Sequence, residues 1–349
     1  MIKASFKKYD LHFKHPSGTS RGVLRHKTTY FLQLLEGNKQ GLGECGLFKG
    51  LSADDVPNYE DKLRWLCANI NSRQADLIEE LKAYPSIQFG LEQAFLSLKS
   101  EDKFILFPSK FTDGKVGIPI NGLIWMGSKE FMNKQIKEKL KAGFTTLKLK
   151  IGAIDFEAEL GLIKALRQNF SANDIALRVD ANGGFSPLEA LEKLKRLSDF
   201  DLHSIEQPIK VNQWEVMAQL CENTPLPIAL DEELIGIFDD AKKEQLLQII
   251  KPQYIILKPS LIGGFAGSNT WIHLAEKQNM GWWITSALES NIGLNAIAQF
   301  TYTLQNKLPQ GLGTGGLFTN NIESPLQVKK GALFYNTEKT WQMPDFNLL

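Results

Sequence analysis

Along much of the chain, short runs that alternate apolar and polar residues are separated by stretches with helical spacing. TTLKLKIG, Thr145 to Gly152, is a clear example. Strand side chains alternate faces, so Thr146, Lys148 and Lys150 share one side and Leu147, Leu149 and Ile151 the other. Four later runs of the same kind, IALRVDA, DLHSIEQ, PIALDEE and YIILKPS, each end in charged residues. GWWITSALES predicts a seventh strand, and LPQGLGT an eighth, short one.

The segments between these runs are helical in pattern. Ser128 is placed to cap an amphipathic helix that Gly143 ends, and a second helix covers about 155–169. SPLE announces a third, with Ser186 as N-cap, Pro187 in the first turn and Glu189 closing a capping box. Further helical segments fall near 212–222 and 239–249, and NIGLNAIAQFTYTL follows the seventh strand. Strand–helix alternation from VGIPIN onward predicts an α/β fold, a TIM-type (β/α)7β or (β/α)8 barrel over residues 116–314. A doubly wound sheet would also alternate, but PINGLIWMG is no dinucleotide fingerprint.

Residues 1–115 read differently. ASFKKYDLHFK and TTYFLQLLEG predict paired strands around the polar stretch HPSGTSRG, GLGECG a glycine-rich turn, and NYEDKLRWLCANI and SIQFGLEQAFLSLKS helices. Strands followed by helices predict an α+β capping domain. Residues 315–349 exceed what a barrel needs and are expected to pack back on that domain, completing it.

Composition narrows the partners. The 349 residues carry 40 basic and 39 acidic side chains, so no polyanion is favoured and a nucleic-acid partner is not expected. No apolar run approaches the ~18 residues of a membrane span, and the N-terminus lacks a signal-peptide pattern. Three scattered cysteines suit a reducing compartment, so a cytoplasmic protein is expected. The five histidines show no metal spacing.

The strand-end charges form a register of their own. Lys148 and Lys150 are followed by Asp180, Glu206, Asp231 and Lys258, one group per strand–helix unit. Barrel active sites are assembled at the C-terminal rim from several strand ends, which places all six in one cup. Any one of them alone reads as a solvated or ion-paired residue, and Lys148 with Glu206 as a plain buried salt bridge. Six in step with the barrel repeat read as a site. Three gathered carboxylates repel one another unless a cation joins them, and oxygen ligands favour Mg²⁺, with Mn²⁺ the alternative ion. Burial and a neighbouring cation would then draw a lysine toward its neutral form, a usable general base. This constellation suits removal of a proton α to a carboxylate.

KLK, DAN, EQP, DE and KPS at successive strand ends, with GLGECG in the N-terminal unit, resemble the enolase superfamily in its muconate-lactonising branch. The resemblance implies Asp180, Glu206 and Asp231 as Mg²⁺ ligands, Lys150 and Lys258 as opposed catalytic lysines, Lys148 as electrostatic support and Asn182 just behind them. SGTSRGVL, KPSLIGG, SALES and GLGTGGLF are most similar to the o-succinylbenzoate synthase family, which implies syn dehydration of a cyclohexadiene carboxylate in menaquinone biosynthesis. N-acylamino-acid racemases and dipeptide epimerases use the same two lysines. The Asp-x-Asp that epimerases carry near the eighth strand is missing from GLGTGG, which disfavours them. A barrel that binds without catalysis would have lost one of the lysines or carboxylates, and none is lost.

In that reading a small-molecule carboxylate is the partner and the oligomeric state stays open. Arg21, in a loop at residues 17–22 expected to order on binding, would reach the second substrate carboxylate. Gly263 and Gly264 would offer backbone N–H groups or simply allow a tight turn, and Ser286 a hydrogen bond. Arg178 would offset the carboxylates, Glu289 is as readily structural, and one of Trp282 and Trp283 must face outward from the barrel.

Overall fold

The structure is a computed structural model that describes residues 1–19, 22–125, 128–152 and 155–344. Its elements run β1 (Lys3–Thr19), β2 (Gly22–Glu36), β3 (Lys39–Cys45), α1 (Tyr59–Asn69), α2 (Gln74–Glu80) and α3 (Pro85–Lys99). Next come β4 (Ile118–Pro119), β5 (Gly122–Ile124), α4 (Lys129–Lys141), β6 (Thr146–Lys150), α5 (Phe156–Asn169), β7 (Ala176–Asp180) and α6 (Pro187–Ser198). The chain continues through β8 (Ser204–Glu206), α7 (Trp214–Asn223), β9 (Ile228–Leu230), α8 (Asp240–Ile250), β10 (Tyr254–Leu257) and α9 (Gly264–Lys277). It ends with β11 (Gly281–Ile284), α10 (Asn291–Thr303), β12 (Leu326–Lys329) and β13 (Ala332–Tyr335).

Strands β5 to β11 form one parallel sheet in sequence order. Gln310 and Gly311 join its two edges, one bridging in parallel to Ile120 and the other to Thr285. The expected eighth strand is therefore two residues that complete the curl. The expected first strand, VGIPIN, is displaced. Ile118 and Pro119 pair antiparallel with β13, and the parallel sheet begins only at Gly122. Part of VGIPIN is a strand as expected, but its partner is a strand some two hundred residues away in sequence, which no local pattern reports.

The sheet's outward face carries the main core, with Leu147, Leu149, Ile151, Leu177 and Val179 packed under the helices. Helix starts follow local chemistry. Ser128 and Asp155 accept hydrogen bonds from the first-turn amides of Phe131 and Ala158. Ser186 precedes α6 as expected, but its hydroxyl donates to the Glu189 carboxylate at 2.8 Å instead of accepting an amide. Gly143 ends the α4 turn at φ 81°.

The N-terminal strands pair as an antiparallel sheet, and pairing extends through Ser17 to Thr19 after a register shift, where an open polar stretch was expected. GLGECG is not a turn; it lies within and just beyond strand β3, against helix α3. A Cβ on Gly43 would stand 1.9 Å from the Gly90 carbonyl oxygen, and one on Gly41 2.2 Å from that of Ala94. Those glycines let the helix lie directly on the sheet. Buried Glu44, on the same strand, accepts the amides of Ser290 (2.9 Å) and Gly293 (2.8 Å) at the start of α10. The described part of the C-terminal segment packs in more than one place. Phe318 bridges to Phe13 and Asn320 bonds Asp10, while β13 pairs with β4 beside the parallel sheet.

Candidate active site

Register brings the strand-end charges together. Lys150 on β6 pairs with Asp180 on β7, and Asp180 with Glu206 on β8. Asp231 and Lys258 follow β9 and β10, so the two outer lysines flank three strands that bear carboxylates. Asp180, Glu206 and Asp231 are all buried, at 0, 3 and 2 % exposure.

Ion pairs knit the cluster. The Lys148 ammonium lies 2.8 Å from Asp180 Oδ2 and also donates to Glu206 Oε2. Lys150 donates to Asp180 Oδ2 at 2.6 Å and to Asn182 Oδ1 at 2.7 Å. Lys258 donates to Asp231 Oδ2. Burial works against every charge here, yet the ammoniums outweigh it at Asp180 and Asp231, whose carboxyls lie below their ordinary range. Glu206 goes the other way: burial first, then the flanking Asp180 and Asp231, push it well up.

At two of the lysines the carboxylates work against neutrality. Burial favours the neutral amine at both, but Asp180, Glu206 and Asp231 outweigh it at Lys148, and Asp231, Glu206 and Glu232 at Lys258, so both lie above the usual lysine value. Among the described residues no three acidic, histidine or cysteine side chains stand ready around one point. The ammoniums of Lys148 and Lys258 instead take an oxygen of each carboxylate. Glu206 Oε1 is nevertheless buried and receives no hydrogen bond. That orphaned oxygen, among oxygen-only donors from three adjacent strands, is what a hard divalent cation would satisfy.

Other expected residues are employed elsewhere. Arg21 lies outside the described residues. The Ser286 hydroxyl hydrogen-bonds Thr314 Oγ1 at 2.6 Å. Gly263 and Gly264 face helix α3: added Cβ atoms would meet Gln88 Oε1 at 3.0 Å and Glu92 Oε2 at 2.2 Å. Glu92 itself accepts the next two amides, of Phe265 and Ala266. Arg178 lies with its guanidinium 4.0 Å over the Trp283 ring and donates to the Pro309 carbonyl, inside the sheet below the cluster. Burial lowers it to about 10. Trp282 faces the helices and donates to Glu276, so the tryptophan pair divides as expected. Glu289 accepts from Ser260 and Ala287.

Three buried participants were given no role by the sequence reading. Glu232 accepts Asn182 Nδ2 at 2.9 Å; its only signal was its place after Asp231. Gln207 Oε1 receives the amides of Asp231 and Glu233, both at 3.3 Å, and so pins the turn after β9. Lys27, on β2, buries an ammonium with no hydrogen-bond partner near Glu44 and Glu289, and burial lowers it despite them. Strand alternation alone cannot show that it faces another unit.

Residues 132–338 match the family described as enolase C-terminal domain-like. The o-succinylbenzoate synthase of Desulfotalea psychrophila is 46% identical over 95% of this chain and 98% of its own. The L-Ala-D/L-Glu epimerase of Bacillus subtilis is 28% identical over 52% of this chain and 49% of its own. Among solved structures, MenC from Desulfotalea psychrophila superposes with a TM-score of 0.86 at 43% identity, covering 95% of this chain and 99% of that one. Muconate lactonizing enzyme from Pseudomonas fluorescens shares the fold, with a TM-score of 0.82 at 21% identity over 96% and 93%.

Proposed function

The chain belongs to the enolase C-terminal domain-like family, and from that premise we propose that it is an o-succinylbenzoate synthase, a hydro-lyase of menaquinone biosynthesis. Similarity to the Desulfotalea synthase along nearly the whole of both chains carries this reading. The site supplies parts suited to the reaction.

Asp180, Glu206 and Asp231 would hold Mg²⁺. Bound there, the ion would supply positive charge opposite a substrate carboxylate. Lys150 takes the proton α to that carboxylate from a succinyl-hydroxycyclohexadiene carboxylate. It returns the proton to the departing hydroxyl on the same face. The C–H and C–O bonds break, water leaves, and the new double bond completes an aromatic ring. Lys258, across the carboxylates from Lys150, faces the enediolate as a cation. Lys148, held between Asp180 and Glu206, stays charged and favours the free-amine form of Lys150 for the first step.

In the same reading, residues 1–115 cap the mouth of a (β/α)-type barrel over 116–314, and residues 315–349 tie the two together. The test is to supply the cyclohexadiene precursor and, in parallel, N-succinylamino acids. Aromatic absorbance should grow in the first. Substrate α-deuterium exchange in the second, without any dehydration of the first, would replace the synthase by a racemase.

A further inference from the structure

The turn after β7 holds one residue in an uncommon conformation. Asn182 has φ 43°, in the left-handed region, and Gly183 follows at φ 71°. The turn is pinned by the Gly183 amide, which donates to the Gln207 carbonyl at 2.6 Å, and by the Asn182 amide, which donates to Asp180 Oδ1 at 2.9 Å. Asparagine tolerates this backbone better than most residues, so the turn alone would explain its presence. Its side chain points to more.

Asn182 Oδ1 accepts from the Lys150 ammonium at 2.7 Å, while Nδ2 donates to Glu232 Oε1 at 2.9 Å. An ammonium only donates, so the amide oxygen faces Lys150, and the opposite N–H₂ is accepted by Glu232 Oε1. The two neighbours therefore demand a side chain with an acceptor at one end and a donor at the other, and they fix which way round it lies. Glu232 is held in turn by the short helical turn Glu232–Leu234, whose start is anchored by Gln207 through the Asp231 and Glu233 amides.

We propose that Glu232 and Asn182 are positioning residues for Lys150: Glu232 locks the orientation of the Asn182 amide, and the locked carbonyl aims the Lys150 amine. This deepens the reading of Lys150 as the base and rests on it. With the amide reversed, an N–H₂ would face the Lys150 amine and turn it away from the substrate's α-carbon. Both amide ends are engaged, so Asn182 acts through Lys150 and is not itself a substrate contact.

The test is a charge-and-donor swap. Asn182→Asp keeps the size and the left-handed tolerance but sets a carboxylate against Glu232. Glu232→Gln retains an acceptor oxygen for Asn182. In the double variant, the amide introduced at position 232 donates to the carboxylate introduced at position 182, which accepts from both sides. Expected for Asn182→Asp is a fall in kcat of about 10–100-fold, the usual scale for groups that orient a reacting one, with KM little changed. Glu232→Gln falls only slightly, and the double variant recovers part of the Asn182→Asp loss, the remainder coming from the new carboxylate that faces Lys150 and favours its charged form. Melting curves verify that all three fold. A double variant no better than Asn182→Asp, or an Asn182→Asp that keeps full kcat, overturns the relay. Lys150→Ala assayed beside them separates the two ideas: turnover surviving there removes the base itself, not its positioning.

Discussion

Glu92 on helix α3 accepts the backbone N–H of Ala266, 3.1 Å away in the first turn of helix α9. A helix N-terminus favours a negative charge, but burial is the larger effect here and raises this carboxyl to about 7. The folded-state value lies above that of an unfolded glutamate, about 4.3, so ionisation costs the folded protein. The stabilisation is complete below about pH 4 and lost as pH rises through about 7. Relative to Glu92→Gln, the native protein should gain melting temperature between pH 8 and pH 5. Thermal melts of both proteins at pH 5, 6.5 and 8 give the comparison, and a gap that is flat or widens toward alkali contradicts it.

In the proposed reaction Lys150 moves the proton. Its replacement by alanine is expected to lower turnover by about 10²–10⁴-fold, the usual contribution of a positioned acid–base group. Far-UV circular dichroism should be unchanged, since strand β6 keeps its buried Leu147 and Leu149. Steady-state assay of the purified variant decides the point, and activity within tenfold of the native enzyme removes Lys150 from the role.

The orphaned oxygen of Glu206 bears on metal binding independently of activity. Mg²⁺ at a hundred times its dissociation constant should stabilise the native chain by about 2.7 kcal/mol. In Glu206→Gln the carboxylate is gone and most of that gain should vanish. Calorimetric scans with Mg²⁺ and with chelator compare the two. An equal rise in melting temperature in both proteins would place the ion elsewhere.

Close packing of β3 on α3 gives a prediction about stability alone. Gly43→Ala forces a methyl against the Gly90 carbonyl and is expected to cost about 1–3 kcal/mol or more. Gly161 lies inside α5 with open space where a Cβ would go, so Gly161→Ala should stabilise by about 0.5–1 kcal/mol. Urea titration of the pair should show midpoints moving in opposite directions; midpoints that move together would refute the packing argument.

How much could be read before folding depends on how far apart in the chain the cause lies. Lys148, Lys150, Asp180, Glu206, Asp231 and Lys258 were legible because each sits at the end of an alternating run, and such runs recur once per strand–helix unit. The chain by itself determined those faces, the helix starts at Ser128 and Asp155, and the family. The tertiary structure decided which lysine meets which carboxylate, the pairing of Ile118 and Pro119 with β13, and the Glu232–Asn182–Lys150 chain. It also turned Gly263 and Gly264 toward α3 and surrounded Lys148 and Lys258 with carboxylates that raise both above the usual lysine value. Periodicity is a property of neighbours along the backbone. Hydrogen-bond partners and burial are set by side chains that meet across the fold, and spacing along the chain carries no record of them.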